Sequence, residues 1–171
     1  MIYVCAITKV DETISQCGAK HLLTLLSGDT QFVCPQSIAT ANHLLLTFND
    51  IVEEREGLVA PGLKHVESLL RFVRQWDRSS PLVINCFAGV SRSTAAAYIA
   101  AAALSPDRAE DELAATLRRL SPTATPNLRL IRHADKLLQR KGRMISAIEA
   151  IGRGADAFEG APFALPINAK T

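Results

Sequence analysis

The chain has 171 residues, 48% of them hydrophobic, with 19 Lys and Arg against 17 Asp and Glu and a formal net charge of +2. That length supports one domain with a substantial core, and so balanced a charge leaves neither a nucleic-acid nor a membrane-surface footprint. The 4 cysteines (Cys5, Cys17, Cys34, Cys86) show no Cys-x-x-Cys and no Cys/His metal spacing, so they read as reduced thiols of a cytoplasmic protein. No basic segment near Met1 leads into a long apolar stretch, so no secretory leader is expected. The longest run of small apolar residues, Thr94 to Leu104, is too short to span a bilayer.

In chain order, Ile2 to Ile7 reads as a strand, Asp11 to Ala19 as a short helix and Lys20 to Leu26 as a second strand. Ser27-Gly28-Asp29 is a turn signal, and a third apolar run, His43 to Phe48, ends at Asn49-Asp50. From Pro61 the period becomes helical, placing Leu63, Val66, Leu69, Leu70, Val73 and Trp76 on one face. Leu82-Val83-Ile84 is a buried strand, and Thr94 to Leu104 a helix of small residues. Ser105-Pro106 is expected to open the next helix, with Leu113, Leu117 and Leu120 on its apolar face. Thr125-Pro126 opens another, carrying Leu130, Ile131, Ala134, Leu137 and Leu138. Gly142 breaks it, and a last helix carries Met144, Ile148 and Ile151. Residues 155–171 read as an extended tail packed on the domain rather than a second domain. Together these elements predict a single α/β domain over residues 1–171. It has a central, largely parallel sheet of about four to five strands flanked by helices, and a helical C-terminal half.

The chemistry concentrates between Leu82 and Thr94. The apolar run delivers Cys86 to the end of a strand, and Phe87 to Ser91 then separate it from Arg92 and the following helix. A loop of that length entering a helix N-terminus turns successive N–H groups into one concavity, which suits a tetrahedral oxyanion. Gly89 permits the tight backbone path, and Arg92 can grip two oxygens of a phosphate at once. Cys86 would lie beneath the phosphorus as nucleophile, its thiolate favoured by the helix terminus, the amides and the guanidinium. Phe87, Ala88 and Val90 offer backbone amides rather than side chains, and Ser91 steadies the loop.

Cys86-Phe87-Ala88-Gly89-Val90-Ser91-Arg92-Ser93 resembles the signature loop of the protein tyrosine phosphatase superfamily. The form Cys-x-x-Gly-x-Ser-Arg-Ser is most similar to the compact, dual-specificity-like branch, in its bacterial-type form. The resemblance covers roughly Lys20 to Arg140 and includes the Pro126-Asn127 helix start. It implies a metal-independent phosphomonoester hydrolase that works through phosphocysteine without a cofactor. The implied activity is that of a protein tyrosine or dual-specificity phosphatase, acting on a phosphorylated protein or a small phosphomonoester. By the same resemblance the general acid is an Asp on a loop ahead of the Cys. Asp50, after Thr47-Phe48-Asn49, fits that position, with Glu53 or Glu54 as substitute. Ser93 would donate its hydroxyl to the Cys86 sulfur.

One residue departs from the family pattern: Asn85 stands where the family usually has His. That position braces the loop, so slower turnover is expected. Asn85 also supports an alternative reading, a phosphate- or phosphoprotein-binding module with impaired turnover. A rhodanese-like sulfurtransferase also uses a Cys in an amide-lined loop, but its spacing and flanking helices differ. The loop interior carries no Lys, unlike branches that hydrolyse multiply charged inositol phosphates, so kinship favours phosphotyrosine.

Overall fold

Apolar runs buried on both faces become parallel strands, and the helical segments between them cover those faces. The computed structural model describes residues 1–167. In it β1 (Ile2–Ala6), β2 (His21–Leu26), β3 (His43–Thr47) and β4 (Leu82–Cys86) run parallel. β5 (Phe163–Leu165) adds an antiparallel edge, giving the order β3-β2-β4-β1-β5. This is the single α/β domain with a mostly parallel sheet that the sequence predicts.

The two faces are unequal. α1 (Val10–Cys17) covers one of them, where Val10 and Ile14 meet Cys5, Leu22 and Val83. The larger core lies on the other face, beneath α2 (Leu63–Gln75), α3 (Arg92–Leu104), α4 (Glu110–Leu120), α5 (Leu128–Leu137) and α6 (Arg143–Ile151). α3 is buried from Arg92 through Ala102. Its alanines let the helix axis approach the strands closely and leave room for the neighbouring helices, which a ring of larger side chains would exclude. No helix among the described residues is long and apolar enough to cross a membrane.

Several boundaries move. β1 ends at Ala6, and Ile7–Lys9 form a 3-10 turn before α1. The helix expected from Ser105-Pro106 starts instead at Glu110. Pro106 disfavours helical backbone at the residue before it, and Ser105 adopts φ −133°, ψ 68° as the C-cap of α3. Its hydroxyl donates to the Ile167 carbonyl, and Arg108 N–H turns back to the Ser105 carbonyl at 3.0 Å. Glu110, Asp111 and Glu112 instead place negative charge in the first turn of α4, where the helix dipole favours it. The following helix is capped by Asn127 rather than by the expected Thr125-Pro126 pair.

The chain after α6 crosses back along the domain. The Arg118 guanidinium collects the carbonyls of Ile151, Gly152 and Ala124 at 3.0, 2.8 and 2.8 Å, tying the start of this segment to α4. Further on it pairs Phe163 with Val4 and Leu165 with Ile2, so the tail contributes a strand as well as a strap. Residues 168–171 of the expected tail lie outside the described residues.

Candidate active site

Parallel strands end on the same side, and the crevice beyond their carboxyl ends is the usual ligand position in an open α/β sheet. Here that edge gathers Ile7 after β1, Ser27 after β2, Phe48 and Asp50 after β3, and Cys86 at the end of β4. Cys86 is buried, 2% exposed, and the loop Phe87–Ser91 carries the chain from it into α3.

The loop's carbonyls are taken up from outside. The Phe87 carbonyl accepts Ile7 N–H at 3.2 Å, that of Ala88 accepts Gly160 N–H at 2.8 Å, and that of Val90 accepts Thr125 N–H at 2.9 Å. The Ser91 carbonyl accepts Ala95 N–H at 3.0 Å and Asn127 N–H at 3.4 Å. In a trans peptide the N–H points opposite the preceding C=O. Turning those carbonyls outward therefore turns the amides of Ala88, Gly89, Ser91 and Arg92 inward. Gly89 N–H does meet the Cys86 sulfur, at 3.3 Å. That path requires glycine at 89: φ is +70°, and a Cβ there would sit 2.8 Å from the Ala6 nitrogen.

The other candidate side chains converge on this cradle. The Ser93 hydroxyl lies 3.1 Å from the Cys86 sulfur, from the first turn of α3. The Arg92 side chain is braced rather than free. Its Nη1 donates to the Phe48 carbonyl at 3.1 Å and to Ser27 Oγ at 3.2 Å, while its buried Nε has no partner among the described residues. Asp50 is joined to the loop itself, its Oδ1 accepting the Ser91 hydroxyl at 2.8 Å. Glu53 and Glu54 are engaged elsewhere: Glu54 pairs with Arg129 at 2.7 Å and Glu53 with Arg132 at 3.7 Å, both on α5.

Asn85 does not reach the loop by any hydrogen bond among the described residues. It is fully buried, and its Oδ1 accepts the Thr24 hydroxyl at 2.8 Å. Thr24, having one proton to give, must then accept from His43 Nε2 at 3.1 Å. The Asn85 Nδ2 has no partner among the described residues. Burial also holds His43 below its ordinary pKa.

The other thiols differ in their surroundings. Burial pushes Cys5 up to about 12, and raises Cys17 and Cys34 above the ordinary thiol value. All 4 cysteines are free. Among the described residues no group of three or more His, Cys, Asp or Glu is arranged to hold a metal ion.

The structure thus brings Cys86, Phe87, Ala88, Gly89, Val90, Ser91, Arg92, Ser93 and Asp50 to one place and sends the Asn85 side chain under the sheet. Sequence reasoning missed the supports: Ser27, Phe48 and Gly160 hold the loop or its Arg through contacts far apart in the chain. Asn127 was legible only as part of a helix start.

No protein-family profile matches the chain, and no curated protein matches it significantly. Known structures are similar. DUSP15 superposes with a TM-score of 0.61 at 15% identity, over 87% of this chain and 90% of that one. Human DUSP28 does so at 0.61 and 16%, over 88% and 95%. PTPMT1, in a structure with PI(5)P, gives 0.63 at 12%, over 88% and 94%. The parallel sheet, the loop between β4 and α3 and the helical second half are therefore one arrangement: the chain has the dual-specificity-like fold of the protein tyrosine phosphatase superfamily.

Proposed function

We propose that this protein is a cysteine-dependent phosphomonoester hydrolase acting through a phosphocysteine intermediate, with protein phosphotyrosine as its substrate class. The observation that carries the reading is the Cys86 sulfur at the floor of an amide-lined loop, contacted by Gly89 N–H at 3.3 Å and the Ser93 hydroxyl at 3.1 Å. Both groups face the sulfur, whose thiolate is the form that attacks phosphorus. The inward amides and the Arg92 guanidinium hold the equatorial oxygens, and the unpartnered Arg92 Nε–H is a ready donor.

In the first step the Cys86 sulfur forms a bond to phosphorus as the bond to the leaving oxygen breaks. Asp50 gives that oxygen a proton. In the second, Asp50 takes a proton from water as the water oxygen attacks phosphocysteine. The departing Cys86 thiolate accepts the Ser93 hydroxyl's hydrogen bond, and inorganic phosphate leaves. A half-exposed Phe87 at the rim, 51% accessible, offers apolar contact to an aryl phosphate. The loop has no Lys for a multiply charged headgroup. A thiolate nucleophile needs a reducing compartment, and we place the protein in the cytoplasm on that ground.

The test is hydrolysis of p-nitrophenyl phosphate by the wild type and Cys86→Ser, with and without vanadate. Vanadate-sensitive turnover that vanishes in the variant is expected. Vanadate binding without turnover would instead support the phosphate-binding module, for which the absence of any bond from Asn85 to the loop argues. Faster turnover of PI(5)P than of a phosphotyrosine peptide would overturn the substrate class.

A further inference from the structure

The segment after α6 is clasped to the candidate site at Gly160. Its N–H donates to the Ala88 carbonyl at 2.8 Å, and the N–H of that same peptide unit, carried by Gly89, faces the Cys86 sulfur at 3.3 Å. A peptide unit is a rigid plane whose C=O and N–H point in opposite directions. One plane therefore has the tail on its outer side and the sulfur on its inner side. The loop's own sequence does not fix that plane. Gly89 sits at φ +70°, and turning the unit over would bring it to about −110°, which glycine adopts as readily. The turned plane would aim the negative end of the Ala88 carbonyl at the sulfur and at any oxyanion above it.

The tail is built to hold its place against the loop. Gly160 is buried, and a Cβ on it would lie 3.0 Å from the Gly89 carbonyl oxygen and 3.4 Å from Val90 Cγ2, so a side chain here would press the two segments apart. Before Gly160, Ala155 N–H donates to the Pro122 carbonyl at 3.0 Å and Glu159 accepts the Thr8 hydroxyl at 2.7 Å. After it, Phe163 and Leu165 pair with Val4 and Ile2 of β1.

We propose that Gly160 is a positioning residue: by fixing the Ala88–Gly89 peptide it couples docking of residues 155–165 to binding of a tetrahedral oxyanion in the loop. The inference rests on the reading of that loop as a phosphate site and assigns its regulation. The coupling runs both ways. An anion that accepts the Gly89 N–H holds the plane and strengthens the clasp. Whatever lifts the tail frees the plane and weakens the grip on the anion.

Calorimetry with vanadate, a tetrahedral oxyanion, tests this without requiring turnover. Gly160→Ala and Gly160→Pro both add a Cβ, but only proline deletes the N–H. Gly160→Pro is expected to weaken vanadate binding about 10- to 100-fold, the contribution of one hydrogen bond to a charged group, and Gly160→Ala less. Reciprocally, vanadate should slow hydrogen exchange at the Gly160 amide of the wild type by a similar factor. The Arg108 amide, in the turn beyond the C-terminus of α3, should be unaffected. A merely structural role for the tail would lower the melting temperature of Gly160→Pro and leave both readouts alone. Wild-type affinity in a folded Gly160→Pro, equal losses in the two variants, or Gly160 exchange insensitive to vanadate would overturn the proposal. Should Gly160→Pro fail to fold, the exchange measurement on the wild type decides. No vanadate binding by the wild type would remove the oxyanion reading of the loop and this inference with it, whereas wild-type binding that neither variant changes removes the inference alone.

Discussion

Gly89→Ala separates the two demands that the loop between β4 and α3 makes on its backbone. At φ +70° any side chain meets left-handed strain, worth about 1–2 kcal/mol. In addition, a Cβ at 89 would lie 2.8 Å from the Ala6 nitrogen and 2.9 Å from the Cys5 carbonyl carbon. Those backbone atoms belong to β1, an inner strand between β4 and β5, and cannot yield as a flexible side chain would, so overpacking adds roughly 1–3 kcal/mol. The total, about 2–5 kcal/mol, is a large part of the roughly 5–15 kcal/mol that a typical domain has. Gly18→Ala is the internal control: φ is +68° at the end of α1, with nothing within 4 Å of its Cβ. It should lose only the first contribution. Urea unfolding of both variants, compared at equal m, measures the difference, expected at about 1–3 kcal/mol in favour of Gly18→Ala. Equal losses would refute the claim that contact with β1 constrains position 89. Vanadate affinity should fall in Gly89→Ala as well, because the amide that meets the Cys86 sulfur moves with the loop.

The remaining predictions concern the groups around that loop. Arg92→Lys should weaken vanadate binding and lower kcat together, since an ammonium can neither grip two phosphate oxygens nor stay braced on Phe48 and Ser27; unchanged affinity would contradict this. Ser93→Ala should slow the second step, so that product appears in a burst before a slower steady state, and a single linear phase at the wild-type rate would exclude that role. Thr24→Val removes the hydroxyl that joins Asn85 to His43 and takes this partner from the buried Asn85 oxygen and the partly buried His43 nitrogen. A loss of about 2–4 kcal/mol by urea unfolding is expected, and a neutral effect would count against the chain of hydrogen bonds. Acid should destabilise the fold through its histidines. Burial holds His43, His65 and His133 below the ordinary imidazole value, and His65 Nδ1 also accepts Gly62 N–H at 2.9 Å. Their contribution is complete above about pH 6.5, the unfolded value, and declines as the pH falls through their lower native values. A urea midpoint that rises between pH 7 and pH 5 would contradict this sign.

The local features of the chain were legible without coordinates. The apolar runs of β1, β2 and β4 give parallel strands because each is buried on both faces and too short to be a helix, and the run of β3 pairs beside them as the half-exposed edge. Cys86, Gly89, Arg92 and Ser93 lie within one turn and the start of one helix, so their spacing alone predicts a shared cradle. Where two local signals competed, reading was less secure: Ser105-Pro106 looks like a helix start, yet its hydroxyl is used by Ile167 from the tail. Only tertiary structure decided what holds the cradle. Gly160 supports the Ala88 carbonyl, Ser27 and Phe48 brace Arg92, and Asn127 meets Asp50 across 77 positions of sequence. It also turned Asn85 away from the loop toward Thr24, because the parallel register places those two residues opposite one another on neighbouring strands. A hydrogen bond between distant residues depends on strand order and helix placement, which no window of sequence contains. Cys86 and its loop are therefore written locally, while the orientation of Asp50 and the hydrogen bonds that hold the loop are properties of the assembled sheet and helices.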